Sequence, residues 1–112
     1  MSAPVLSRRL TLEDPQRASD GSGGHVETWE ALGELWAEMT SLTGRAKVQG
    51  GVDLSVQRYR VTVWATPVGS ASRPRPDQRF RDGSRLFLIH AVAEADSDGR
   101  YLTCFVQEEA VA

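Results

Sequence analysis

Residues 20–45 read DGSGGHVETWEALGELWAEMTSLTGR, and two periodicities compete for them. Trp29, Leu32, Trp36 and Met39 recur at i, i+3, i+7 and i+10, with Leu35 beside them, which is the stripe of a helix with one buried face. From Leu35 onward the same residues also alternate. Leu35, Ala37 and Met39 stand against Trp36, Glu38 and Thr40, the order of a half-buried strand. Gly33 weighs against the helix, since glycine in a helix interior costs about 1 kcal/mol. This stretch decides the fold, and the flanking segments bear on it.

Downstream, SVQRYRVTVW (55–64) sets Val56, Tyr59, Val61 and Val63 among Arg58, Arg60 and Thr62. Its β-branched and aromatic residues and its near period of two predict a strand. RLFLIHAVAEA (85–95) is apolar on both faces, as in a strand covered on both sides or lying in a subunit contact. DSDGR (96–100) predicts a hairpin turn with Asp98 and Gly99 at its tip, and YLTCFVQEE (101–109) the returning strand. Residues 65–84 contain Pro67, Pro74 and Pro76 and read as one long loop. Upstream, LSRRLTL (6–12) lies between Pro4 and Pro15 and reads as a short strand near an edge, followed by a polar, glycine-rich connection over 14–24. TGRAKVQGGV (43–52) predicts a short helical turn stopped by Gly50 and Gly51. Several strands, one tight hairpin and long loops favour an antiparallel β fold.

The 112 residues suit one domain, 1–112, of 40% hydrophobic and 25% charged residues, an ordinary globular composition. No apolar run reaches the roughly 18 residues of a membrane span. The first twenty residues carry Arg8, Arg9, Glu13 and Asp14 instead of the apolar core of a signal peptide, so a cytoplasmic protein without a membrane partner is expected. Cys104 is the only cysteine, which excludes an internal disulfide and fits a buried packing residue in a reducing compartment.

Net charge is −2 but unevenly spread: residues 57–86 carry +5 and the remainder −7. Such a chain can meet copies of itself, or another partner, through opposite signs. Twelve of the thirteen basic residues are arginine, the side chain suited to bidentate, desolvated contacts.

No nucleophile and base pair is visible, and the spacings of zinc proteases, serine hydrolases and phosphate loops are absent. The chain therefore reads as a non-enzyme without cofactor. Of the two histidines, His25 falls in a glycine-rich loop and is expected exposed, while His90 falls in an apolar strand and is expected in the core. DSDGR has something of a calcium loop's spacing but lacks the later acidic ligand and reads as a hairpin. Trp29, Trp36 and Trp64 are expected in the core, with Trp64 the least secure because it shares a face with Arg58, Arg60 and Thr62. Exposed, the same tryptophans beside arginines would suit an OB-like module that stacks on single-stranded nucleic acid, the alternative reading.

The order of these pieces resembles the phage head–tail joining family, the head-closure or stopper proteins of tailed phages and gene transfer agents. RRLTLE is similar to the family's opening strand. SDGSGGHVETW and LWAEMTSLTGR resemble its Thr-Trp and Trp-Ala segments, the second ending in a Leu-Ser/Thr-Gly-Arg turn. QRYRVTVW is similar to its arginine-bearing central strand, DQRFRDGSRLFLIHAV to the segment after it, and DSDGRYLTCFVQEE to its final strand.

The resemblance implies a mainly β fold, a small antiparallel barrel or sandwich with at most one short helix and long loops, and so strands over 20–45. It also implies a homo-oligomeric ring of six or twelve copies around the double-stranded DNA channel. That ring closes the filled head and lies between a portal-associated adaptor and a tail terminator or first tail protein. The particle would assemble in the bacterial cytoplasm and carry the protein in its neck. Loops 13–25 and 65–84 are expected to order on meeting neighbours. Arg73, Arg75, Arg79 and Arg81 on one side and Glu27, Glu30, Glu34 and Glu38 on the other are expected at contacts between subunits or with a neighbouring ring.

Overall fold

The computed structural model describes residues 3–42 and 57–109. Six strands follow in order: β1 (Arg8–Ser19), β2 (His25–Leu42), β3 (Arg58–Trp64), β4 (Arg79–Asp82), β5 (Arg85–Glu94) and β6 (Tyr101–Glu108). They pair antiparallel and close into a barrel in the order β1-β2-β3-β6-β5-β4. Closure leaves no open sheet edge within the barrel itself.

Alternation supplies the core. Leu10 and Leu12 of β1, Val61 and Val63 of β3, Phe80 of β4, Phe87 and Ile89 of β5, and Leu102, Cys104 and Val106 of β6 all point inward and are buried. Full burial of each large side chain contributes about 1.5–3 kcal/mol, so the two phenylalanines and three leucines carry much of the driving force.

The stretch at 20–45 is strand. In β2, Ala37 is fully buried with Leu35 and Met39 packed beside it, while Trp36 and Thr40 face out. The helix-like stripe arises from a bulge. Leu12 pairs with Gly33 and Glu13 with Ala31, which leaves Leu32 as an extra residue. The bulge changes the strand's phase, so Trp29 shares the outer face with Glu13, whereas Leu32 packs on the core. Gly33 sits in the bulge at φ +142°, a conformation few side chains adopt.

Other expectations are corrected. The connection over 14–24 is mostly strand: β1 runs on through Pro15 to Ser19 and, with the start of β2, forms a two-stranded ribbon turned at residues 20–24. Pairing of β1 with β4 ends at Glu13, so Pro15 lies where β1 has a free edge and its missing N–H is tolerated. The long loop at 65–84 ends early, because β4 follows the last proline and turns through Gly83 (φ +61°) into β5. His90 is exposed instead of buried. It is the extra residue of a second bulge, between the pairs Ile89 with Val106 and Ala91 with Phe105. None of the three tryptophans is in the core; Trp36 and Trp64 are 52% and 55% exposed. On the outer face of β5, Leu86 and Leu88 are half-buried and Ala91 and Ala93 exposed. The helical turn expected at 43–52 lies outside the described residues, as do Ser55 and Val56 of the expected third strand.

Candidate assembly surfaces

The arginines singled out in the sequence are tied into the chain. Register places Glu13, Arg79 and Arg81 together on the outer face of β1 and β4. Arg79 Nε donates to Glu13 Oε1 at 2.7 Å and Arg81 Nε to Oε2 at 2.9 Å. Arg79 also lies over Trp29, 4.0 Å from the ring centroid, so the pair packs against an aromatic plane as guanidinium groups do. Burial opposes ionisation of Glu13. The hydrogen bonds from Arg81 and Arg79, with their charges, outweigh it and hold the carboxyl below the usual carboxylate range.

Next to this pair, buried Gln78 fixes the preceding loop. Its Nε2 donates to Asp14 Oδ1 at 2.9 Å, and its Oε1 accepts from the Arg75 N–H at 2.9 Å. Arg75 approaches Asp14 at 3.6 Å while staying 68% exposed, and Arg73 Nη1 donates to the Thr66 carbonyl at 2.8 Å. Of the four glutamates, Glu34 pairs with Arg9 at 3.2 Å and Glu38 accepts the Val5 N–H at 2.8 Å. Glu27 and Glu30, both exposed on the ribbon, have no cation within ion-pair distance among the described residues. The structure thus gathers Arg75, Arg79 and Arg81 at the base of the ribbon, near Glu13 and Asp14, and does not set the two predicted groups against each other. Glu13 was missed by sequence reasoning. The alternation Arg79-Phe80-Arg81, with Phe80 inward, was the signal that both guanidiniums share one outer face.

One end of the barrel is closed by inward-facing ion pairs. Arg8 donates twice to Asp82 Oδ2, at 3.0 and 2.9 Å. Arg85 grips Glu108 with bonds of 2.8 and 3.1 Å and also donates to the Tyr59 hydroxyl. The Arg85 hydrogen bond lowers the Glu108 pKa and the pairing raises that of Arg85. Cys104, deeper in, has its thiol pushed up to about 12 by burial and is inert.

Two further surfaces are open. A cleft of about 470 Å³ lies between the ribbon and β5, with Trp29, Pro15 and Leu88 in its walls and Glu27, Asp77 and Glu109 among its lining acids. On the outer side of β3 and β6, Trp64 stacks on Tyr101 at 4.6 Å between centroids, and Phe105 is 41% exposed. Arg60 stands directly across from Phe105 on this face, with no acid in ion-pair range among the described residues. These surfaces are built from arginine, aromatic rings and carboxylates.

The chain is thus a closed β-barrel with a projecting ribbon and outward-facing aromatic residues. The profile of the phage head completion protein family matches residues 1–109, and the chain belongs to that family, one of structural virion components. Among solved structures it is similar to a chain in the virion of a native gene transfer agent (GTA) particle. The two are 50% identical, with 98% of this chain and 100% of that chain covered and a TM-score of 0.83. A search of curated proteins finds no match.

Proposed function

We infer that this chain is the head-closure component of a phage-like particle, forming a ring at the neck that retains the packaged DNA and offers the tail its docking face. The observation that carries this reading is the family match along nearly the whole chain, joined to 50% identity with a chain of a gene transfer agent virion. The barrel suits the task physically. A closed sheet with a dry core is a stiff wedge, and a stiff wedge can transmit docking forces without unfolding. Two unlike faces on one subunit permit a head-to-tail contact that closes into a ring around double-stranded DNA. Outside the ring, a portal-associated adaptor lies on the head side and a tail terminator or first tail protein on the other. Assembly takes place in the bacterial host cytoplasm, and the protein ends in the particle's neck.

Within this reading Glu27, Glu30, Arg73 and Arg75 meet neighbours directly. Arg79 and Arg81 act through Glu13 to hold the ribbon's base at its angle, and Glu34 and Glu38 border the same strand. Heads freshly packaged in vitro without this protein, before their DNA is lost, provide the test. Purified protein added to them, followed by tails, is expected to restore tailed particles and to protect the packaged DNA from nuclease. Heads that acquire tails equally well without it would contradict the reading.

A further inference from the structure

We propose that the outer face of β3 and β6 receives the β1–β2 ribbon of a second copy of this chain, Glu30 against Arg60 and Val26 against Trp64, a contact that rests on the ring reading above. The ribbon needs a partner. An isolated two-stranded hairpin is marginal in water, and here Gln16, Ala18, Val26, Thr28 and Glu30 on one face are all exposed, Val26 at 49%. On that face Glu30 stands directly across from Asp14. Like charges opposed across a pair of strands destabilise it. Asp14 already has Gln78, Gln16 and Arg75, so the uncompensated charge is that of Glu30.

The receiving face has the converse imbalance. Arg60 lacks an acid among the described residues, and beside it lie the exposed rings of Phe105 and of Trp64 stacked on Tyr101. Spacing matches as well as charge. Val26 and Glu30 share one face four residues apart, and so do Arg60 and Trp64, which puts each pair about 13 Å apart along its strand. A ribbon laid along β3 can therefore set its carboxylate on the guanidinium and its valine on the indole at once. Donor and receiver are different surfaces, as a ring-closing contact requires.

The test is a chain carrying both Glu30→Cys and Arg60→Cys, in which the native thiol of Cys104 stays buried. Oxidation of assembled particles is expected to give a ladder of covalent multimers, absent from either single variant. Tailed particles without a ladder would overturn the contact while leaving head closure intact. Conversely, a ladder from purified protein would stand even if the particle role fell. In solution, Arg60→Glu is expected to lower multimer formation at least tenfold and Glu30→Arg in the same chain to restore it. Unchanged multimers in both single reversals would sink the pairing. Salt-dependent binding of labelled single-stranded DNA that Trp64→Ala abolishes, with no ladder, would assign the face to nucleic acid instead.

Discussion

Among the described residues Glu13 is the only charged side chain that is buried. Its side chain is 8% exposed and faces two guanidiniums, of which that of Arg79 is itself 15% exposed. Removing the carboxylate leaves Arg79 part-buried without its partner, while Arg81, 41% exposed, is solvated, so Glu13→Ala is expected to cost about 1–3 kcal/mol in chemical denaturation. The same group sets an acid limit. Because the folded pKa lies below the ordinary value of 4.5, the stabilisation is complete above that value and is lost as pH falls through the lower, folded one. Denaturation midpoints compared at pH 6 and pH 3 should therefore drop further for the natural chain than for Glu13→Ala. Equal drops would assign the acid sensitivity elsewhere, with Glu108, also lowered, the next carboxylate to vary.

Among the elements, β2 explains both why the sequence misleads and why the strand still forms. Residues beyond the bulge alternate openly, from Leu35 through Met39, and are legible as strand from the sequence. Before it, one extra residue converts a two-residue period into a three-residue one, so Trp29, Leu32 and Leu35 imitate a helix. A phase change made by pairing with β1 cannot be read from β2 alone. His90 was misplaced for the same reason, as the extra residue opposite β6. The tryptophans were misplaced for another: size predicts burial only where the face is known, and Trp36 and Trp64 fall on the outward parity. Hairpin, central strand and N-terminal strand were legible because each carries its own turn or alternation. The glycine at the first bulge offers a direct check. A Cβ on Gly33 meets nothing within 4 Å, so the cost of Gly33→Ala is backbone strain at φ +142°, about 1–3 kcal/mol by thermal unfolding. No measurable loss would mean that the bulge relaxes. The ribbon is testable by deletion. Joining Asp14 to Glu30 through a short turn removes none of the buried core, so cooperative unfolding should survive while multimers are lost. Loss of the fold would instead make the ribbon part of the barrel's stability.

For the whole molecule, charge and shape point the same way. Part of the +5 and −7 division seen in the sequence is spent inside the chain, in ion pairs made by Glu13, Asp14, Asp82 and Glu108. Among the groups that remain available outside are carboxylates on the ribbon, and Arg60 and an aromatic face on the barrel. In the proposed ring, a subunit so divided would pass one contact around the ring and keep its two ends for the head and the tail. The most direct measurement is electron microscopy of particles from a host lacking this gene, with tail attachment and DNA content of the heads scored together. Head closure predicts separate heads and tails, with heads that lose their DNA, and recovery of tailed, filled particles when the gene is returned. Normal tailed particles with full heads in its absence would contradict it.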